Sequence, residues 1–191
     1  MIAVWQEPRE TASGPLAGVR VLDLTSVVMG PSATQILGDL GCDIIKIEPP
    51  QGDSMRWVGP ARHDGMGPLF LQANRNKRSL VLDLKSEAGK AALLDLAAGA
   101  DVLVSNVRPA GMDRLGLGYP QLSAVNPAII YCSAVGYGEG GPGAGRAVYD
   151  DLMQAAAGSS GRFHQIDGAP RYAPVNICGR TVGLYVVIAV Q

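Results

Sequence analysis

Short β-branched segments alternate with helix-forming segments along this chain, and the alternation constrains its fold more than any other feature of the 191 residues. Pro31 suits the first turn of a helix, and the Ser86 hydroxyl can cap another helix by accepting a hydrogen bond from a backbone amide. Strands joined by helices indicate an α/β fold with a mostly parallel, doubly wound sheet. The predicted strands cover residues 19–24, 43–47, 79–84, 101–104 and 128–134, and the predicted helices cover 30–40, 87–98 and 121–126.

The charge balance excludes some classes of partner. The 16 lysines and arginines are offset by 17 acidic residues, so no net positive field exists to gather nucleic acid or anionic lipid. An anionic ligand must instead be held by locally placed cations and backbone amides. Because 47% of the residues are apolar, the chain can bury a full core. We expect a flexible extension over residues 1–14 and one domain over residues 15–191.

The cysteines and the apolar runs predict a soluble protein of a reducing compartment. Cys42, Cys132 and Cys178 are far apart and lack the CxxC spacing of metal and redox sites, which fits the cytosol. The two histidines stand alone, so no metal site is expected. Residues 1–10 lack the apolar core of a secretory signal, and the apolar run 183–190 is far shorter than the roughly 20 residues that span a bilayer.

The strand ends indicate where a ligand would bind, because open α/β sheets hold ligands beyond the carboxyl ends of their strands. Lys85, Asn106 and Arg108 follow predicted strands, as does the turn over residues 26–30. A lysine beside a helix N-terminus, an amide and an arginine can together hold a phosphorylated nucleotide. For each residue alone a solvated loop is the favoured interpretation, and only the set favours a ligand site.

Two features typical of dinucleotide-binding proteins are weakened by their context. Residues 136–141 match G-x-G-x-x-G after a strand, but Pro142 and further glycines follow where that motif requires a helix. Glu48 stands where NAD enzymes place their ribose-binding acid, yet the turn over residues 27–31 has one glycine where three are expected. NAD is therefore not expected as a cofactor.

Several motifs, in the correct order along the chain, resemble family III CoA-transferases, the group that includes formyl-CoA transferase, carnitine CoA-transferase and an acyl-CoA racemase. The resemblance covers nearly all of the sequence from residue 15 to 191, but only about the first half of a typical family member. The matching segments are PLAGVRVLDLT at 15–25, LGCDIIKIEPP at 40–50, NKRS and LDLK within 76–85, NVRP and MDRLG within 106–116, and SAVGYGEG at 133–140.

This resemblance implies a Rossmann-like large domain, joined in full-length members to a small domain, with two chains interlocked like links. It also implies coenzyme A as the ligand. Cations are suitable for the CoA phosphates, and an asparagine amide can donate to and accept from a purine edge or a pantetheine amide. One of the cations, Arg114, also fits a surface helix residue. The implied CoA-contacting residues are Val28, Met29, Lys85, Asn106, Val107, Arg108, Arg114 and the Tyr149-Asp150 pair.

The chemistry implied by the resemblance uses an aspartate nucleophile, which passes through a mixed anhydride and then holds CoA as a thioester. That aspartate precedes a Gly-Leu pair by four residues. The pair here is Gly183-Leu184, so the matching position is Gly179, and the nucleophile is expected to be missing. The neighbouring Cys178 fits a buried apolar residue better than a replacement thiolate.

Asp150 is the remaining candidate for a catalytic group. In one interpretation it is an acid, base or positioning carboxylate that faces the thioester. In the other, Asp150 and Asp151 are helix N-terminal acids that complement the helix dipole. The sequence leaves both interpretations open for Asp150 and favours the second for Asp151.

The sequence therefore predicts a member or subunit of family III that moves CoA between an acyl-CoA and a carboxylic acid. An alternative is a non-catalytic CoA-binding or structural subunit left by a split gene. A racemase relative is a lesser alternative, because the racemase pattern also requires an aspartate near Gly179 and a histidine at Tyr149. Residues 182–191 are apolar nearly all round, as in a helix buried on every side. We therefore expect a homodimer, or a complex with a catalytic family member, to cover this segment.

Overall fold

One parallel sheet forms the centre of the fold. The structure, a computed structural model, describes residues 13–191, so residues 1–12 of the predicted extension lie outside the described residues. The strands are β1 (Arg20–Leu24), β2 (Asp43–Glu48), β3 (Lys77–Val81), β4 (Val102–Ser105) and β5 (Ile130–Ser133). Their order is β3-β2-β1-β4-β5, and every neighbouring pair is parallel. The predicted α/β fold is confirmed.

Helices connect and cover these strands. Within residues 13–191 they are α1 (Met29–Asp39), α2 (Pro68–Ala73), α3 (Glu87–Ala97), α4 (Pro109–Leu115), α5 (Tyr119–Val125), α6 (Asp150–Ala156), α7 (Ser159–Asp167) and α8 (Ile177–Val190). A 3-10 turn, Ser54–Trp57, lies between β2 and α2. Ser86 caps α3 as predicted, because its hydroxyl accepts a hydrogen bond of 3.0 Å from the Gly89 amide.

Alternate residues of the strands face opposite sides of the sheet, and each side carries its own helical layer. On one side Leu22, Ile45 and Leu103 pack in a cluster that includes residues of α3, α4 and α5. On the other side Val21 and Ile44 pack in a cluster that includes residues of α1 and α8. The sheet is thus covered on both faces, as a doubly wound architecture requires.

Strand β3 ends earlier than predicted. The Asp83 carboxylate accepts a hydrogen bond from the Lys85 amide at 3.0 Å, and the Asp83 carbonyl accepts one from the Ser86 amide at 3.0 Å. The Leu82 amide still donates to the Glu48 carbonyl of β2 at 2.9 Å, and after Leu82 this local turn withdraws the backbone from the sheet. The predicted strand over residues 79–84 therefore includes residues that belong to the approach to α3.

The last helix packs against the rest of the described chain along one side only, and its burial on every side remains an expectation that depends on a partner. Gly183, Val186, Val187 and Val190 are buried, whereas the opposite face, with Leu184, Tyr185 and Ile188, is 54–68% exposed. The reason is geometric. Helix α1 and the sheet cover one side of α8, and none of the described elements packs on the other.

A buried carboxylate joins β1, β3 and α1. Asp23 is fully buried, and its Oδ2 accepts hydrogen bonds from Lys77 Nζ at 2.9 Å and from Thr34 Oγ1 at 2.7 Å. Lys77 Nζ also donates to the Pro31 carbonyl at 2.9 Å. Burial alone would raise the pKa of Asp23, but the charges of Lys77 and Lys46, together with the hydrogen bonds that Asp23 accepts, outweigh it and lower that pKa to about 2.

We predict that Asp23→Asn lowers the free energy of unfolding by about 3–5 kcal/mol at pH 7, because the Lys77 ammonium would stay buried without its carboxylate. The control Asp95→Asn changes an exposed residue of α3 and should alter stability by about 0.5 kcal/mol or less. Urea unfolding measures both.

The same carboxylate gives a pH dependence of known sign. The pKa of Asp23 is depressed in the fold, so its contribution to stability is present above about pH 4 and is lost as the pH falls toward about 2. The wild-type chain should lose more stability across that window than Asp23→Asn. Equal losses would contradict the assignment.

Candidate functional site

The sheet order reverses direction between β1 and β4, which places a crevice beyond the carboxyl ends of these two strands. Asn106 follows β4 and Ser26 follows β1. The Asn106 amide nitrogen donates to the Ser26 carbonyl at 2.8 Å, and the Ser26 amide donates to the Asn106 side-chain oxygen at 3.1 Å. The predicted ligand residue Asn106 therefore ties the two strand ends together. One N–H and one lone pair of its amide group remain for a ligand.

The turn from β1 into α1 is strained and tight. Val27 has a φ of +72°, which is unusual for a β-branched residue. Gly30 packs so closely on Thr25 that an added Cβ would collide with the Thr25 side chain. No side chain caps the start of α1, so the first-turn amides that include Met29 are available at the crevice. Val28 and Met29, two of the predicted contact residues, thus lie at its edge.

The predicted cationic residues lie on three different segments. Lys85 is exposed in the turn before α3 and follows β3, two strands away from the switch point, or roughly 10 Å across the sheet. Arg108 is exposed at the start of α4, beside the exposed Val107, and its Nη1 lies 3.5 Å from the Gly145 carbonyl. Arg114 is exposed near the end of α4, where its Nε donates to the Ala110 carbonyl. Over residues 13–191, these three cations make no side-chain contact with one another.

Asp150 and Gly179 meet at the adjoining side of the crevice. Asp150 is the first residue of α6, and its Oδ1 accepts a hydrogen bond of 2.8 Å from the Gly179 amide in the first turn of α8. A Cβ added at Gly179 would lie 3.6 Å from that oxygen and 3.9 Å from the Met29 Cβ, which are ordinary van der Waals distances. Position 179 therefore has room for a Cβ and faces the start of α1. Tyr149, next to Asp150, is 66% exposed.

Gln154 is a polar residue of this region that sequence reasoning missed. Its side chain is buried, its Nε2 donates to Asp150 Oδ2 at 2.7 Å, and its Oε1 accepts from the Ala173 amide at 2.8 Å. The sequence contained one indication of the contact between Gln154 and Asp150. Gln154 follows Asp150 by four residues, so a helix places the two side chains on the same face.

Two other candidate groups, the Cys178 thiol and the Glu48 carboxylate, have surroundings that limit their chemistry. Burial, followed by the nearby Asp150 charge, raises the pKa of the Cys178 thiol, so the thiol is a poor replacement nucleophile. Glu48 forms a two-pronged ion pair with Arg56, with Nε and Nη2 each 2.7 Å from a carboxylate oxygen. The carboxylate that resembled a ribose-binding acid is therefore already occupied by an arginine.

The described part of the chain has no helix long and apolar enough to cross a membrane. Over residues 13–191, no group of three or more His, Cys, Asp or Glu side chains is arranged to hold a metal ion.

Residues 16–191 match the family described as CoA-transferase family III. Succinyl-CoA:glutarate CoA-transferase from Mus musculus is 41% identical over 178 residues, which are 93% of this chain and 41% of that protein. Acetyl-CoA:oxalate CoA-transferase from Acetobacter aceti is 46% identical over 158 residues, which are 82% of this chain and 40% of that protein. The chain spans less than half the length of these curated relatives.

Solved structures show the same similarity. The crystal structure of a CAIB/BAIF family protein from Brucella suis has a TM-score of 0.89 and 40% sequence identity, and the match covers 93% of this chain and 48% of that one. The structure of protein Rv3272 from Mycobacterium tuberculosis has a TM-score of 0.86 and 37% identity, over 94% of this chain and 50% of that one. The shared fold thus covers almost the whole described chain.

Two glycines of α8 should respond oppositely to substitution by alanine. Gly179→Ala should stabilise the chain by up to about 1 kcal/mol, because there is room for the methyl group and alanine favours helices. Gly183→Ala should cost about 1–3 kcal/mol, because its Cβ would lie only 2.9 Å from the Met29 carbonyl oxygen. Thermal and urea unfolding of the two variants provide the comparison. A destabilised Gly179→Ala chain would show that position 179 is more crowded than described.

Proposed function

Because the chain belongs to CoA-transferase family III, we propose that it binds a coenzyme A thioester in the crevice beyond β1 and β4. The observation that carries the proposal is the arrangement at the start of α8. Position 179 has room for a Cβ, faces Met29, and donates a backbone hydrogen bond to Asp150. This is where the family resemblance implies an aspartate nucleophile, and Asp150 and Met29 lie beside the position although the side chain is absent.

The CoA phosphates would lie near the exposed cations Lys85, Arg108 and Arg114. These three cations form no ion pair within residues 13–191, so a phosphate can recruit them without breaking one there. The pantetheine arm would run past Asn106 and Val107 toward the uncapped start of α1. There, amides such as that of Met29 would donate to an oxygen of the thioester.

The chemistry of transfer requires a carboxylate that attacks the thioester carbonyl, and Gly179 supplies none. The two Asp150 oxygens already accept hydrogen bonds from the Gly179 amide and the Gln154 side chain. We therefore propose that the chain holds an acyl-CoA without forming the mixed anhydride itself. Transfer of CoA to a carboxylic acid would need a companion that carries the aspartate. Neither a metal ion nor NAD enters this proposal.

A family member with the catalytic aspartate, or failing that a second copy of this chain, is the partner that we propose. The exposed face of α8 supports a partner, since Leu184, Tyr185 and Ile188 leave a large apolar area in water. Each such side chain forgoes roughly 1.5–3 kcal/mol of burial.

The three cysteines are free thiols, which fits a reducing compartment such as the cytosol.

CoA binding should weaken when the proposed phosphate contacts are removed. Lys85→Ala and Arg108→Ala should each cost roughly 1.5–3 kcal/mol of binding free energy, as is typical for charge-assisted contacts. Lys90→Ala is the control, because this lysine lies on α3 and pairs with Glu87. Calorimetric titration with CoA measures all three. Unchanged affinity in both Lys85→Ala and Arg108→Ala would contradict the placement of the phosphates.

The nucleophile can be tested separately from binding. The wild-type chain alone should transfer no CoA from acyl-CoA donors to a panel of carboxylic acids. Gly179→Asp should form a covalent adduct with an acyl-CoA, detected as a mass increase that hydroxylamine removes. The control is Gly179→Asn, which has nearly the same volume but is not a nucleophilic carboxylate. Robust transfer by the wild-type chain, or equal labelling of both variants, would contradict the proposed role of position 179.

A further inference from the structure

We infer that Asp150 and Gln154 form a positioning pair that fixes residue 179 at the crevice, so that Asp150 is a positioning residue and not a substitute nucleophile. The inference rests on the proposed function, because only a thioester bound beside α1 gives position 179 a chemical role. Three elements meet here: α6, which carries both residues of the pair, the segment that precedes α8, and the first turn of α8.

Gln154 anchors the pair in the protein interior. Its side chain is 3% exposed and has partners at both ends of its amide group, Asp150 Oδ2 on the nitrogen and the Ala173 amide on the oxygen. Its Nε2 also lies 3.5 Å from the Val175 carbonyl. Gln154 therefore binds the segment that leads into α8 and orients the carboxylate in front of α8 at the same time. A buried amide with all these partners has little freedom to rotate.

Asp150 passes this orientation on to α8. Its Oδ1 accepts a hydrogen bond from the Gly179 amide in the first turn of α8. The side chain of the N-cap residue of α8 forms no capping hydrogen bond of its own. A carboxylate at this end of a helix also interacts favourably with the helix dipole. Both oxygens of the Asp150 carboxylate accept hydrogen bonds, Oδ1 from the Gly179 amide and Oδ2 from Gln154. The carboxylate is therefore held in one rotamer.

The bond to residue 179 involves its backbone, so it forms with any residue at that position. The Cα–Cβ direction of residue 179 is then set by the pair, toward Asp150 and the Met29 side chain at the start of α1. A side chain restored at this position would project to the same place. The pair thus sets the geometry of position 179 whatever residue occupies it.

The first experiment observes the bond directly, in the wild-type background. Gln154→Glu keeps an acceptor for the Ala173 amide but loses the donor to Asp150 and sets two carboxylates against each other. We expect the NMR resonance of the Gly179 amide proton to shift and its hydrogen exchange to accelerate about tenfold or more, as for the loss of a charge-assisted hydrogen bond. Unchanged shift and exchange in Gln154→Glu would overturn the inference.

Two further variants complete this experiment. Ser159→Ala removes a hydroxyl that donates to the Gln154 carbonyl without touching its amide group, and should leave the Gly179 resonance unchanged. A comparable change in Ser159→Ala would show a general loosening of α6 and would overturn the inference. Asp150→Ala removes the acceptor itself at the half-buried start of α6 and serves if Gln154→Glu does not fold. It should accelerate exchange at Gly179, and failure to do so would overturn the inference.

The second experiment reads the chemical consequence. In the Gly179→Asp background, adding Gln154→Glu should slow formation of the covalent adduct by about 100-fold, because a misplacement of the reacting group near 1 Å has that effect. The dissociation constant for CoA should stay the same. Adding Ser159→Ala should alter neither quantity. An unchanged adduct rate with Gln154→Glu would overturn the inference.

The two experiments separate failure of the inference from failure of the proposed function. If Gly179→Asp alone forms no adduct, the proposed role of position 179 fails, whereas the NMR measurement still decides whether the pair fixes the backbone there. If the adduct forms but the Gly179 amide does not respond to Gln154→Glu, the proposed function stands and the positioning pair is wrong.

Discussion

The buried ion pair between Asp23 and Lys77 is the interaction on which the crevice depends. Lys77 starts β3 and Asp23 lies in β1, so the pair spans two strands that are not neighbours in the sheet. The same ammonium binds the Pro31 carbonyl in the first turn of α1. A buried charge without a partner is very unfavourable, so the pair opposes any separation of these three elements. That arrangement fixes where α1 begins, and with it the edge of the crevice.

Close approach of the helices then completes this edge. Gly183 lets α8 lie against the Met29 carbonyl, and Gly30 lets α1 begin against Thr25. The starts of α1 and α8 therefore come together on the same side of the sheet. Val27 adopts its strained φ in between, where Asn106 holds the Ser26 backbone and the Lys46 ammonium binds the Thr25 carbonyl at 2.8 Å. Strain of this kind persists only where the surroundings over-determine the conformation.

Sequence reasoning predicted the features that depend on local pattern and missed those that depend on tertiary contacts. The alternation of strands and helices gave the doubly wound sheet, and the cap at Ser86 was read from its residue type. Helix α4 was missed although it carries two helix signals, Pro109 at its first position and Gly116 in a left-handed conformation after its end. Gln154 could not be predicted in its role, because its partners near Ala173 lie about twenty residues away and are brought close only by folding.

The contacts around residue 179 do not depend on which side chain that residue carries. An aspartate there would stand close to the Asp150 carboxylate, and two neighbouring negative charges repel each other and raise a pKa. Glycine removes that repulsion, while the backbone bond to Asp150 and the contact between α8 and α1 at Gly183 do not require a side chain at position 179. These contacts hold the backbone of residue 179 in place whether or not the residue carries a carboxylate. The backbone of residue 179 is therefore held in place independently of its side chain, whereas the side chain itself still affects stability.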